Sequence, residues 1–100
     1  MALVTGTGVV VNGLGGIDNI TTGAATGTFS IDGGTGNDVI DASASTKNNT
    51  IIGGDGDDSI TAESGNSNIS GGAGNDTFNL AGNLTSIDTI AGGDGTDTIR

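Results

Sequence analysis

The sequence has no cysteine, histidine, proline, tryptophan or tyrosine, and its aromatics are Phe29 and Phe78 alone. Each absence closes a route. Without His or Cys there is no serine–histidine triad, no thiol nucleophile and no zinc site of nitrogen and sulfur ligands. Without Cys no disulfide staples the fold, and the redox compartment leaves no mark. Lys47 and Arg100 stand alone against 12 acidic residues, for a formal net charge of −10. Two cations cannot neutralise a run of phosphates, so nucleic acid is excluded as a partner. No apolar run approaches the roughly 20 residues of a membrane helix, so no membrane insertion by a helix is expected. Residues 1–11 lack the basic start and cleavage site of a signal peptide. Large apolar side chains are too scarce for an ordinary globular core, and 100 residues hold one small domain at most.

Glycine is what the chain has in plenty, at 21 residues. Its placement is periodic, which argues against a disordered linker. Four segments, 33–41, 53–61, 71–79 and 92–100, read Gly-Gly-x-Gly-x-Asp-x-U-x without gaps, where U is a large apolar residue. A degenerate copy at 13–21 carries Leu14 in place of the second glycine. The five starts are separated by 20, 20, 18 and 21 residues. Between the blocks runs a fainter version of the same nonapeptide, ending on Val11, Ile31, Ile51, Ile69 or Ile90. One structural repeat is therefore two half-repeats, the first strict and the second eroded.

Clustered glycines let the backbone turn tightly, and the x-U-x piece suits a short strand that points one side chain inward. Two strands and two turns make one coil of a flattened parallel spiral. Five coils stacked at about 4.8 Å give a stack roughly 24 Å long. The inward ladders are Ile20, Ile40, Ile60, Phe78 and Ile99 on one sheet, and Val11, Ile31, Ile51, Ile69 and Ile90 on the other. No coil buries its apolar residue alone, so stability comes from neighbour contacts. Asp32, Asp41 and Glu63 belong on a solvated face.

Stacking also places Asp18, Asp38, Asp58, Asp76 and Asp97 in one column. Two carboxylates about 5 Å apart repel by roughly 3 kcal/mol at an effective dielectric near 20. A bare column therefore opposes folding. Calcium between consecutive turns reverses the sign, because it takes six to eight oxygens, carboxylates and backbone carbonyls together. Five turns enclose about four ions. Asp55-Gly56-Asp57-Asp58 is not an EF-hand loop, since Asn66 stands where the closing glutamate belongs and no helix flanks it. The glycine clusters hold neither a dinucleotide fingerprint nor a Walker lysine.

The four strict blocks resemble the nonapeptide repeats of the RTX family, the calcium-binding β-roll modules of secreted bacterial proteins. With the degenerate copy and the half-repeats, the resemblance covers residues from about 9 to 100. It implies an all-β, right-handed parallel β-roll (a β-solenoid) of about five coils with calcium-binding Gly/Asp-rich turns. By that resemblance Asp38, Asp58, Asp76 and Asp97 supply carboxylates. Backbone carbonyls come from Gly33, Gly34, Thr35 and Gly36, from Gly53, Gly54, Asp55 and Gly56, from Gly71, Gly72, Ala73 and Gly74, and from Gly92, Gly93, Asp94 and Gly95. Fifth-position side chains Asn37, Asp57 and Asn75 complete the shell. The carboxyl groups of Asp55 and Asp94 point outward. Asp18 makes a poorer site, because Leu14 and Ile17 depart from the pattern. On the second edge Phe29, Asn49 and Ser67 replace the aspartate, so ions gather along one edge, with Asp88 a candidate for one more.

The family further implies disorder before secretion and folding in a calcium-rich exterior. Residues 1–100 read as a single module, with 1–12 a leading half-coil, within a longer exported protein whose further coils or like subunits meet it. The chain is expected to be non-enzymatic, secreted, and part of a cell-surface layer (S-layer) or adhesin. The alternative is the secretion and folding module of an exported protease, lipase or toxin. Ice binding fits less well, since the third- and fifth-position rows are irregular.

Overall fold

The computed structural model describes residues 2–4, 8–23, 27–62, 65–80 and 89–100. Glu63, Asp88 and the second-edge loop 81–88 lie outside the described residues.

Among the described residues eleven strands alternate between two parallel sheets. β1 (Ala2–Val4), β3 (Asn19–Thr22), β5 (Val39–Asp41), β7 (Ser59–Thr61), β9 (Thr77–Asn79) and β11 (Thr98–Ile99) form one sheet in chain order. β2 (Val9–Asn12), β4 (Phe29–Thr35), β6 (Thr50–Asp55), β8 (Asn68–Ala73) and β10 (Thr89–Asp94) form the other. Every pairing is parallel to the strand one coil away. This is a parallel β-roll, and among the described residues it contains no helix. Segment 1–12 contributes a strand to each sheet.

Register follows the repeat. Ile20 pairs with Ile40, Ile40 with Ile60, Ile60 with Phe78, and Phe78 with Ile99. On the facing sheet Val11, Ile31, Ile51, Ile69 and Ile90 align in the same way. Strand side chains alternate between faces, so each motif offers one apolar residue to the interior. Ile31, Ile40, Ile51, Ile60 and Phe78 are fully buried, and Ala42, Ala62 and Leu80 extend the core toward the second edge. Ile99 in β11 is exposed. Asp32 and Asp41 occupy outward positions of β4 and β5 and are half-buried.

The glycine runs do not lie wholly within turns. β4, β6, β8 and β10 continue through the first three motif positions, and Gly34, Gly54, Gly72 and Gly93 remain in register. The ladder persists around the corner because N–H groups keep finding carbonyls one coil away, as in Gly36 N–H to Asp55 O (2.7 Å) and Gly56 N–H to Ala73 O (2.7 Å). The bend comes from positive φ at the second glycine, 118° at Gly54, a region L side chains avoid. Among the described residues Leu14 is the one non-glycine in that region, with φ 74°. Its N–H is tied to Asn12 Oδ1 at 3.0 Å, while its side chain stays exposed.

Candidate metal centre

The chain leaves the corner through the sixth motif position, and there the aspartates stack along one edge. Each carboxylate splits its two oxygens between different tasks. Oδ1 caps the coil before it: the N–H of Asp18 donates to Asp38 Oδ1 (2.8 Å), that of Asp38 to Asp58 Oδ1 (2.8 Å), that of Asp58 to Asp76 Oδ1 (2.9 Å), and that of Asp76 to Asp97 Oδ1 (3.0 Å). Oδ2 of Asp18, Asp38, Asp58 and Asp76 is buried and has no hydrogen-bond partner. In the described residues Thr22 Oγ1, in the core, is the other buried side-chain atom in that condition. Buried polar atoms are nearly always paired, so a row of four such carboxylate oxygens calls for a ligand outside the protein.

These oxygens do not stand alone. A side chain at the first motif glycine would run into them. A Cβ on Gly53 would collide with Asp58 Oδ2 and lie 2.7 Å from the carbonyl oxygen of Gly71 in the next coil. The same cradle recurs where Gly71 meets Asp76 Oδ2 and the Gly92 carbonyl, and where Gly33 meets Asp38 Oδ2 and the Gly53 carbonyl. Each junction thus gathers a carboxylate oxygen and a carbonyl from successive coils around the space a side chain would fill. Nowhere among the described residues do three or more acidic side chains cluster as a metal site, so a bound ion must draw heavily on backbone carbonyls. All-oxygen donors with few carboxylates are the chemistry calcium accepts.

Burial pushes the Asp58 carboxyl up from 3.8 to about 6. The Asp38 N–H pulls it the other way, and the charges of Asp76, Asp38 and Asp57 push it further up. Asp76 is also raised, again chiefly by burial, with the Asp58 N–H opposing and Asp97 and Asp57 adding to it. Carboxyls that resist ionisation in the bare protein, as Asp58 and Asp76 do, are ones that a divalent cation stabilises.

The other expected positions fall in two groups. Asp55, Asp94, Thr35 and Ala73 at position three are exposed, and the carbonyls of all four accept N–H bonds from fourth-position glycines of the preceding coil (2.7–2.9 Å). Asn37, Asp57 and Asn75 at position five are exposed and form a second ladder that runs in the opposite sense. Their Oδ1 atoms accept the N–H of Asp57 (2.9 Å), Asn75 (2.8 Å) and Thr96 (2.9 Å) in the following coil. Ile17, exposed at the head of that row, breaks it. On the second edge Phe29, Asn49 and Ser67 are all buried.

Gly53→Ala is expected to lower the thermal midpoint in calcium by about 10 °C or more, since the methyl group meets a carboxylate and a carbonyl together. Gly8→Ala is the control, because Gly8 has positive φ (66°) but nothing within 4 Å of its Cβ direction. Equal melting of the Gly53 variant and the parent would refute the cradle.

Fold and turn chemistry together define a calcium-binding parallel β-roll. Residues 30–46, 43–78 and 85–100 match the model of the RTX calcium-binding nonapeptide repeat in 4 copies. That is more than half of the chain, and the chain belongs to the RTX repeat family, whose members are typically secreted bacterial proteins. The degenerate block at 13–21 lies outside the match. No curated protein and no solved structure matches the chain.

Proposed function

We propose that about four calcium ions lie between successive turns of the acidic edge. The carboxylates of Asp18, Asp38, Asp58, Asp76 and Asp97 hold them, with carbonyls of the flanking glycine-rich segments. The observation that carries this reading is the row of four buried Oδ2 atoms without a protein partner. A bound ion neutralises the column and cross-links consecutive coils. The protein's own part is to aim Oδ2 inward by tying Oδ1 to the preceding coil, and to leave room by having no side chain at the first glycine. Isothermal calorimetry with calcium tests this: a count near four supports it, and a count near zero refutes it.

The role we infer is structural and non-enzymatic, in an exported protein of the bacterial cell surface, an S-layer or adhesin. Extracellular calcium modules commonly bind at about 10⁻⁴–10⁻³ M, so such a chain folds after export, where the ion is plentiful. The eroded second half-repeats and the outward rows rich in Thr, Ser and Asn support a surface role over a tightly tandem secretion module. Light scattering in millimolar calcium addresses the lattice: growth into sheets favours it, and a persistent monomer removes it.

A pH dependence follows from the raised carboxyls. A folded-state pKa near 6 against 3.8 means the folded chain holds the Asp58 proton more tightly than the unfolded one. Without metal this favours folding at pH 4, and that stability is lost as pH rises through 6. Asp76 adds to this in the same direction. With metal the sign inverts, because ligation requires the ionised form. Circular dichroism in calcium-free buffer should gain β signal on acidification from pH 7.5 to 4. Calcium affinity should weaken as pH falls below 6. A flat response in both would contradict the burial of this column.

A further inference from the structure

On the second edge the sixth motif position is held by Phe29, Asn49 and Ser67, which reads as the loss of a metal ligand. The geometry points elsewhere. Phe29 N–H donates to Asn49 Oδ1 at 3.1 Å across 20 residues, the same bond that Asp38 N–H makes to Asp58 Oδ1 on the acidic edge. The second side-chain atom differs. Where Asp58 presents an Oδ2 with no partner, Asn49 presents Nδ2, which donates to Ser45 Oγ at 2.8 Å. Both residues are buried, Asn49 at 5% and Ser45 at 1% exposure. The fifth-position ladder is also kept: Asn66 N–H donates to Asn48 Oδ1 at 3.3 Å, as Asp57 N–H does to Asn37 Oδ1.

We propose that Asn49 and Ser45 form a metal-independent clamp that closes the second edge between the coils of β4 and β6, doing with an amide and a hydroxyl what calcium does on the acidic edge. The carboxylate of the motif is replaced by its uncharged isostere, so no column of like charges builds up there. The atom that would need a cation becomes a donor with an acceptor supplied four residues earlier in the same turn. Ser45 Oγ also accepts the Lys47 N–H at 3.3 Å, so the hydroxyl is held within the same turn. Calcium then acts on one edge of these coils, and Asn49 and Ser45 are positioning residues for the other.

The clamp itself stands without the calcium reading, and only its metal independence is measured against that reading. Amide exchange and the calorimetric ion count are measured on the whole chain in saturating calcium. Asn49→Ala should speed exchange at Phe29 relative to Ile31 by about ten-fold, while the number of bound ions stays at the parental value. Asn49→Asp keeps the acceptor, and should restore the Phe29 rate to within a few-fold of the parent without adding an ion. If Asn49→Ala does not fold, Ser45→Ala carries the same test through a smaller acceleration at Phe29. Parental exchange at Phe29 in the alanine variants overturns the clamp. So does the loss of one ion with Asn49→Ala, which would place a metal on this edge. A parent chain that is folded yet binds no calcium sinks the proposed function alone, because Phe29 exchange still judges the clamp.

Discussion

In EDTA at neutral pH the chain is expected to give the circular dichroism of an unordered polypeptide, and millimolar calcium to restore the β signal in one cooperative step. This is the largest effect the structure predicts. The interior is two single-file ladders of side chains, and each coil touches only its neighbours, so no region forms a stable nucleus alone. Along the acidic edge, Asp38, Asp58 and Asp76 are buried at 2% exposure or less, each with a desolvated oxygen and a like charge in the next coil. Desolvation and repulsion both act against the bare fold, at roughly 3 kcal/mol per adjacent pair for the repulsion. A divalent ion at each junction removes both penalties together. Folding is then linked to calcium by mass action, and the midpoint should move with ion concentration. A well-ordered spectrum in EDTA at pH 7.5, with an unchanged melting curve after calcium is added, would contradict the central role of the metal. Magnesium is the informative control: it demands near-octahedral geometry and gives up its waters reluctantly, so it should leave the chain largely unordered at the same concentration.

Much of this fold was legible in the residues, for a physical reason. A strand shows one face with period two, and a fixed motif length repeats that face in every coil. Ile40, Ile60 and Phe78 were therefore bound to stack once any two of them did, and the register agrees. The aspartate column was legible on the same ground. What each carboxylate does inside the column was not. That Oδ1 caps the preceding coil while Oδ2 is left without a partner depends on backbone direction around the corner, and no spacing encodes it. The fifth-position side chains show the gap from the other side. Asn37, Asp57 and Asn75 look like ligands by residue type, yet each Oδ1 serves as an acceptor for the following coil. Asn49 is the opposite case, an apparent erosion of the motif that keeps its hydrogen bond and gains a partner in Ser45. Residue type alone cannot distinguish a lost ligand from a replaced one, because the difference lies in where the second side-chain atom ends up.

Asp58→Ala is the substitution expected to do most damage, and its comparison with Asp97→Ala separates the metal from ordinary packing. Asp58 stands mid-column. Its Oδ1 accepts the Asp38 N–H, its own N–H is capped by Asp76, and its Oδ2 faces the cradle of Gly53 and Gly71. Truncation leaves the Asp38 N–H without its acceptor and takes the unpartnered carboxylate oxygen from the junction where Gly53 meets the Gly71 carbonyl. Calorimetry should therefore count one fewer ion, and the calcium midpoint for folding should rise by about ten-fold or more, since losing a charged partner at a buried site costs about 1.5–3 kcal/mol. Asp97 is half-buried, caps only the Asp76 N–H and is not among the four residues with a buried unpartnered Oδ2, so its alanine variant should lose no more than one ion and fold at a calcium concentration much nearer the parent's. Asp58→Asn isolates the charge. It keeps an oxygen for the Asp38 N–H but turns an amide nitrogen toward the carbonyls, and should lose the same ion while disturbing the Asp38 amide less. If aspartate were only a cap, Asp58→Asn would behave like the parent. Equal calcium midpoints for the Asp58 and Asp97 alanine variants would show that the buried mid-column oxygen holds no ion.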